Sequence, residues 1–230
     1  MDIHFTKHKK NVIILTCRGK NMKIGIDIDG VLTDLNKFQA EQGKKYFKNE
    51  LQFFNECAFD FRDMFHCTKE KKDEFWKKNK LNYYLKAECD KYASKVTQML
   101  KQQGHTIYLF TNRKETNNKG MISDIYKRLL KFWLANNQIE YDEIIYCDPE
   151  KSAEDKYYAC KEKEIDIMIE DQKLSAYLES NICKVIIINR PYNIGVKLPS
   201  ITRLNSFETI KNGLEELNRR KVKQHEVKHK

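Results

Sequence analysis

The segment KIGIDIDGVLTD, residues 23–34, runs an apolar strand into two carboxylates, Asp27 and Asp29, followed at once by Gly30. A buried carboxylate without a partner is costly, and two close together repel each other. Such a pair requires something positive between them. Gly30 lets the chain turn sharply there without a side chain in the way. Three more places carry polar residues beside apolar runs. HTIYLFTNR (105–113) ends in Thr111, Asn112 and Arg113, and IDIMIEDQ (165–172) ends in Glu170 and Asp171. The lysine-rich stretch 151–163 offers Lys156, with Lys151 and Lys161 as its rivals. Four of the six histidines (4, 8, 225 and 229) lie near the ends of the sequence, so a histidine metal site in the core is not expected.

The elements that must position these residues alternate. Apolar, β-branched runs at 23–28, 105–110, 143–147, 165–169 and 184–188 read as strands buried on both faces, the mark of a parallel sheet. Cys89, Tyr92, Ala93, Val96, Met99 and Leu100 recur at helical spacing, with Gly104 closing that helix. Met121, Ile125, Leu129, Phe132 and Trp133 predict a second helix; 151–163 and 206–218 predict two more. Strand–helix alternation implies an α/β, doubly wound (Rossmann-like) sheet, in which ligands bind beyond the carboxyl ends of the strands. Asp27, Asp29, Thr111, Glu170 and Asp171 all fall at that edge, and Lys156 starts a helix that can reach it. Residues 36–87 break the rhythm: no strand, but twelve aromatics from Phe38 to Tyr84 among lysines. They read as a small helical bundle, and as a cap inserted after the first strand. The expected organisation is therefore a basic extension at 1–21, a core of 22–35 and 88–218, a helical cap of 36–87, and a basic tail at 219–230. Whether NVIILTC in the extension adds an edge strand is left open.

DIDGVLTD, a Thr at a second strand tip, a Lys, and an acidic pair after a later strand together resemble the haloacid dehalogenase (HAD) phosphohydrolase superfamily over residues 23–210. TNR at 111–113 and IIINRPYN at 186–193 are similar to its 5′-nucleotidase branch, related to 5′(3′)-deoxyribonucleotidases. The resemblance implies a Mg²⁺-dependent phosphomonoesterase that works through an aspartyl-phosphate. In it Asp27 is the nucleophile, and Asp29 protonates the leaving oxygen and then activates water. Thr111 and Lys156 stabilise the phosphoryl group, with Gly30, Asn112 and Arg113 also at the phosphate or substrate. Mg²⁺ would be held by the Asp27 side chain, the Asp29 main-chain carbonyl and Asp171. Glu170 is either an outer partner of the ion or a partner for Lys156; Thr111 alternatively caps the next segment. Asp34 shapes the flap after the first strand, and Arg113 and Arg190 each either bind substrate or pair at the surface or structurally. The pattern departs from its relatives in ending Glu-Asp and in lacking a second acid at the usual short offset, although Glu179 is in reach.

Composition constrains partners. The net charge is +10, yet residues 1–23 and 219–230 each carry +5 and residues 24–218 are neutral. A basic total confined to the ends does not by itself mark a nucleic-acid surface. No apolar run approaches the length of a membrane span, and no secretion signal is read. Seven scattered cysteines without a CxxC pair fit reduced thiols in a cytoplasm. The expected substrate is a small phosphorylated metabolite such as a nucleoside monophosphate. Two rivals remain: removal of terminal phosphate from a polynucleotide, and a catalytically idle binding or regulatory module. The sequence does not address oligomeric state.

Overall fold

The alternating elements assemble as one six-stranded parallel sheet. The structure, a computed structural model, describes residues 4–8, 12–16, 21–197 and 201–212. β1 (His4–His8) and β2 (Val12–Thr16) pair antiparallel in a two-stranded sheet of their own, so the described part of NVIILTC joins β1 and not the main sheet. β3 (Lys23–Asp27) is central to the main sheet. The chain then forms the cap helices α1 (Leu35–Phe47), α2 (Phe61–Phe65) and α3 (Lys69–Lys86) before α4 (Ala93–Gln102) returns it to β4 (Thr106–Thr111). After α5 (Lys114–Asn117) and α6 (Met121–Asn136) come β5 (Glu143–Tyr146), α7 (Ser152–Lys163), β6 (Ile167–Glu170), α8 (Lys173–Glu179), β7 (Lys184–Ile188) and β8 (Ile201–Leu204). The strand order is β5-β4-β3-β6-β7-β8, every neighbour parallel. The chain moves outward on one side of β3 and then on the other. That reversal makes the crevice beyond the carboxyl end of β3 the expected ligand position.

Alternation along the strands builds two cores. Ile24, Ile26, Ile107, Leu109, Ile167, Ile169, Ile186 and Ile188 fill one face, while Phe110, Met168, Val185 and Ile187 fill the other. β6 starts two residues later than 165–169, since the Ile165 amide still bonds the Cys160 carbonyl of α7 at 2.9 Å, and it extends through Glu170. β8 had no sequence signal: ITRL is a four-residue edge strand whose middle residues are half exposed. The second predicted helix forms, but of its expected apolar stripe only Trp133 and, in part, Leu129 pack against the core. Ser123, Leu130, Trp133 and Leu134 face inward, whereas Met121, Ile125 and Phe132 are exposed. Both faces of α6 carry apolar residues, so periodicity could not say which one is covered. Residues 207–212 are helical, and the remainder of the predicted terminal helix lies outside the described residues.

The cap has its own aromatic core. Phe61 and Phe75 stack with centroids 4.1 Å apart, and Phe47 and Phe65 pack against Phe61. Gly43 on α1 is required for this, since a Cβ there would strike the rings of Phe65 and Phe61. Asp34 caps α1 by accepting the Lys37 amide at 2.9 Å, and Thr68 caps α3. α3 then runs its eighteen residues back toward the sheet and delivers Tyr83 to the strand tips. Among the described residues, no helix is long and apolar enough to cross a membrane. Six cysteines (57, 67, 89, 147, 160 and 183) are free thiols.

Candidate active site

Strand parity decides which side chains meet. Asp27 follows Ile24 and Ile26 with opposite parity, so it points to the sheet face that carries Met168 and Phe110. Glu170 shares parity with Met168 on the neighbouring strand and points the same way. α7 covers this face with Ala153, Lys156 and Cys160, a buried stripe at helical spacing. A lysine on that stripe cannot reach water, and Lys156 is 0% exposed, whereas Lys151 and Lys161 lie on the outer face. Its Nζ lies 2.8 Å from Asp27 Oδ1 and 3.1 Å from both oxygens of Glu170.

Asp27, Glu170 and Asp171 are all buried, and each offers a carboxylate oxygen within 4.8 Å of the others. Glu179 on α8 is buried too, with neither carboxylate oxygen partnered, close enough to repel Glu170 and Asp171. Four carboxylates thus surround one lysine. Burial raises the Asp27 carboxyl well above the usual range, Lys156 pulling it partly back, and burial with repulsion from Glu170 pushes Asp171 up to about 7. Burial alone would strip the proton from Lys156, but Asp27 and Glu170 hold it on. The cluster is short of positive charge.

Asp29 lies in different company. Arg113 Nε is 3.0 Å from each of its oxygens and Nη2 is 2.7 Å from Oδ1; Tyr83 donates to Oδ1 at 2.6 Å and Thr111 to Oδ2 at 3.3 Å. Burial raises this carboxyl, but Arg113 and Tyr83 outweigh it and hold it below its ordinary value. The Asp29 carboxylate is therefore not one of the three that converge. Arg113 Nη1 and Asn112 Oδ1 are buried without a partner. Thr111 also accepts the Arg113 amide at 3.4 Å, so it touches Asp29 and braces the next turn together.

Gly30 has φ +100°, and a Cβ there would collide with the Asp171 carboxylate. The chain thus needs glycine to let β3 and β6 bring their acids together. Arg190 Nε donates to the Gly30 carbonyl at 2.8 Å and its Nη1 lies 3.7 Å from Asp34, a structural pairing across the flap. Sequence reasoning missed two residues here. Tyr83 reaches Asp29 from the cap, and Tyr192 donates its hydroxyl to Asp171 Oδ2. RPYN had drawn attention to Tyr192 only as part of a motif; nothing in the spacing of Tyr83 pointed at Asp29, 54 residues away.

No family model matches this sequence, and no curated protein matches it. Solved structures do match. Protein tyrosine kinase A of Mycobacterium tuberculosis gives a TM-score of 0.57 at 9% identity, covering 85% of this chain and 99% of that one. CbbY of Rhodobacter sphaeroides, solved in complex with phosphate, gives 0.51 at 14% identity, covering 85% and 100%. A predicted phosphatase from Clostridium acetobutylicum gives 0.51 at 16%, covering 89% and 100%. At such identities the likeness establishes the fold alone, a six-stranded parallel α/β sheet with helices inserted after the central strand. One of the three bears a kinase's name, so activity has to be argued from the site itself.

Proposed function

We propose that this chain is a Mg²⁺-dependent phosphomonoesterase that forms an aspartyl-phosphate on Asp27, acting on a small phosphorylated metabolite such as a nucleoside monophosphate. The observation that carries the proposal is the buried cluster at the strand tips. Lys156 holds Asp27 Oδ1 at 2.8 Å beside Glu170 and Asp171, and the carboxylates outnumber the cations. The donors suit Mg²⁺: they are oxygens only, and Asp171 Oδ1 is buried without a partner. Asp27, Asp171 and the main-chain carbonyl of Asp29 are the groups that would hold the ion. When bound, it supplies countercharge that lets a carboxylate approach a phosphate dianion.

The chain's own residues divide the work in two displacements. A carboxylate oxygen of Asp27 bonds to phosphorus as the bond to the leaving oxygen breaks, and that oxygen takes a proton from Asp29. Water then attacks phosphorus, giving its proton to Asp29, and Asp27 leaves with inorganic phosphate released. Lys156 fixes the Asp27 carboxylate and spreads positive charge to the phosphoryl group, and Thr111 turns its hydroxyl from Asp29 Oδ2 to donate to one of that group's oxygens. Arg113 has a spare donor, Nη1, for another. Sharing the guanidinium with a dianion weakens its hold on Asp29, whose carboxyl then rises and takes up the proton it must give.

The cap supports a small substrate, because its side chains reach the strand tips: Tyr83 bonds Asp29, and the Phe59 ring lies 5.1 Å from that of Tyr192. The test is hydrolysis of an aryl phosphate by the full chain with Mg²⁺ or with chelator, alongside Asp27→Asn. Mg²⁺-dependent turnover that falls about 10³-fold or more in Asp27→Asn is the expected result. Absence of turnover across nucleotides, sugar phosphates and phosphorylated amino acids would leave the binding-module reading. Preference for oligonucleotide ends, with affinity falling steeply in salt, would favour the polynucleotide reading that the basic ends suggest.

A further inference from the structure

The RPYN motif forms a 3₁₀ turn after β7 that ties down both acid-bearing strand tips. Asn193 is buried and fully bonded. Its Nδ2 donates to the Asp171 carbonyl at 2.7 Å and to the Ile188 carbonyl at 2.8 Å. Its Oδ1 accepts from the Arg190 amide at 3.1 Å and from Arg203 Nη2 at 2.9 Å. Arg190 reaches across to the Gly30 carbonyl. These bonds are sufficient to hold the turn. The Tyr192 hydroxyl does something else: it donates to Oδ2 of Asp171 and leaves Oδ1, also buried, without a partner. A carboxylate tethered through one oxygen presents the other in a set direction, as groups bonded to a metal's ligands do. The Tyr192 ring also makes an edge contact with Phe59, from the cap segment between α1 and α2, their centroids 5.1 Å apart.

We infer that Tyr192 is a positioning residue: it aims Asp171 Oδ1 at the cation, and through Phe59 it makes cation affinity respond to the cap. This rests on the cation site proposed above. The main competing possibility is that the hydroxyl merely occupies the ion's place, and the two give opposite signs. Mn²⁺ titration of the full chain, followed by the EPR signal of the free ion, separates them. Tyr192→Phe keeps the ring against Phe59 and is expected to weaken Mn²⁺ binding about 10–100-fold, with circular dichroism unchanged. Phe59→Ala, which leaves the hydroxyl in place, is expected to weaken binding less, Phe59→Trp to restore it, and Phe59→Ala to add nothing in the Tyr192→Phe background. Equal or tighter Mn²⁺ binding by a folded Tyr192→Phe overturns the inference alone. Should that variant fail to fold, unchanged Mn²⁺ affinity in Phe59→Ala overturns it. A wild-type chain that binds no Mn²⁺ overturns the cation site and this inference with it.

Discussion

Arg113 grips Asp29 through two nitrogens, at 2.7 and 3.0 Å, while its guanidinium carbon lies 4.8 and 4.5 Å from the ring centroids of Tyr83 and Tyr84. Two aromatic faces and a bidentate carboxylate make this an arginine that lysine could not replace. It also divides the two acids of the DID motif, since Asp27 meets a lysine inside the core while Asp29 meets an arginine under the cap.

Removing that grip should move the pH profile. Asp29 is buried, and Arg113 is the main force that keeps its carboxyl low. Without the guanidinium, desolvation prevails and the carboxyl rises, so the ionised base is lost at a higher pH. With hydrolysis of the aspartyl-phosphate limiting, the step in which Asp29 is the base, the acid limb of kcat in Arg113→Met should shift upward by about 1–3 pH units. A limb that stays in place would exclude Asp29 as the titrating base.

Replacing Lys156 by Met leaves Asp27 and Glu170 buried without their cation. The expected cost is about 3–5 kcal/mol at pH 7.5, measured by urea unfolding. Burial already raises the Asp27 carboxyl, and without Lys156 it sits higher still in the folded state than in the unfolded one, so protonation relieves the strain. The deficit should therefore shrink as pH falls toward 5. A deficit that is the same at both pH values would mean that the buried charges are not its source.

Cation binding should be opposed by protons. Without an ion, the Asp171 carboxyl sits at about 7, so below that pH Mg²⁺ must displace a proton. Calorimetric affinity is expected to weaken roughly tenfold per unit as pH drops from 7 to 5, and chelator should abolish turnover until Mg²⁺ is returned. Affinity that ignores pH would point to a site without Asp171.

Glu179 is a burden that the stability curve should reveal. Its carboxyl is raised chiefly by burial, and both of its oxygens lack partners. A group raised on folding favours the folded state below its unfolded pKa, and that contribution is lost as pH rises through the folded pKa. Glu179→Leu, similar in volume, should stabilise the chain by about 1–3 kcal/mol at pH 8, and by less at pH 5. No gain at pH 8 would show that the carboxylate has a partner after all.

Much of this site was legible before any coordinates. Asp27, Thr111 and the Glu170–Asp171 pair are found at strand ends because β-branched runs end where polar residues begin, and that boundary is local. Lys156 was legible in part: the stripe Ala153–Lys156–Cys160 puts it on the covered face of α7, while Lys151 and Lys161 fall outside it. The edge strand β8 was not legible, because four residues, two of them buried and the middle two half exposed, are too few to show a periodicity. Nor was the orientation of α6, whose two apolar faces look alike in sequence.

The sequence by itself determined the strand–helix alternation, the position of the aromatic insert, and which residues end the strands. Each of these follows from side-chain periodicity and chain stiffness within a few residues. Only the tertiary structure decided who partners whom. Arg113 lies on Asp29 across 84 residues, Lys156 on Asp27 across 129, and Tyr192 on Asp171 across 21. Those pairings depend on strand order and on where the cap returns to the sheet. Both are set by the packing of whole faces against one another, and no single segment records them.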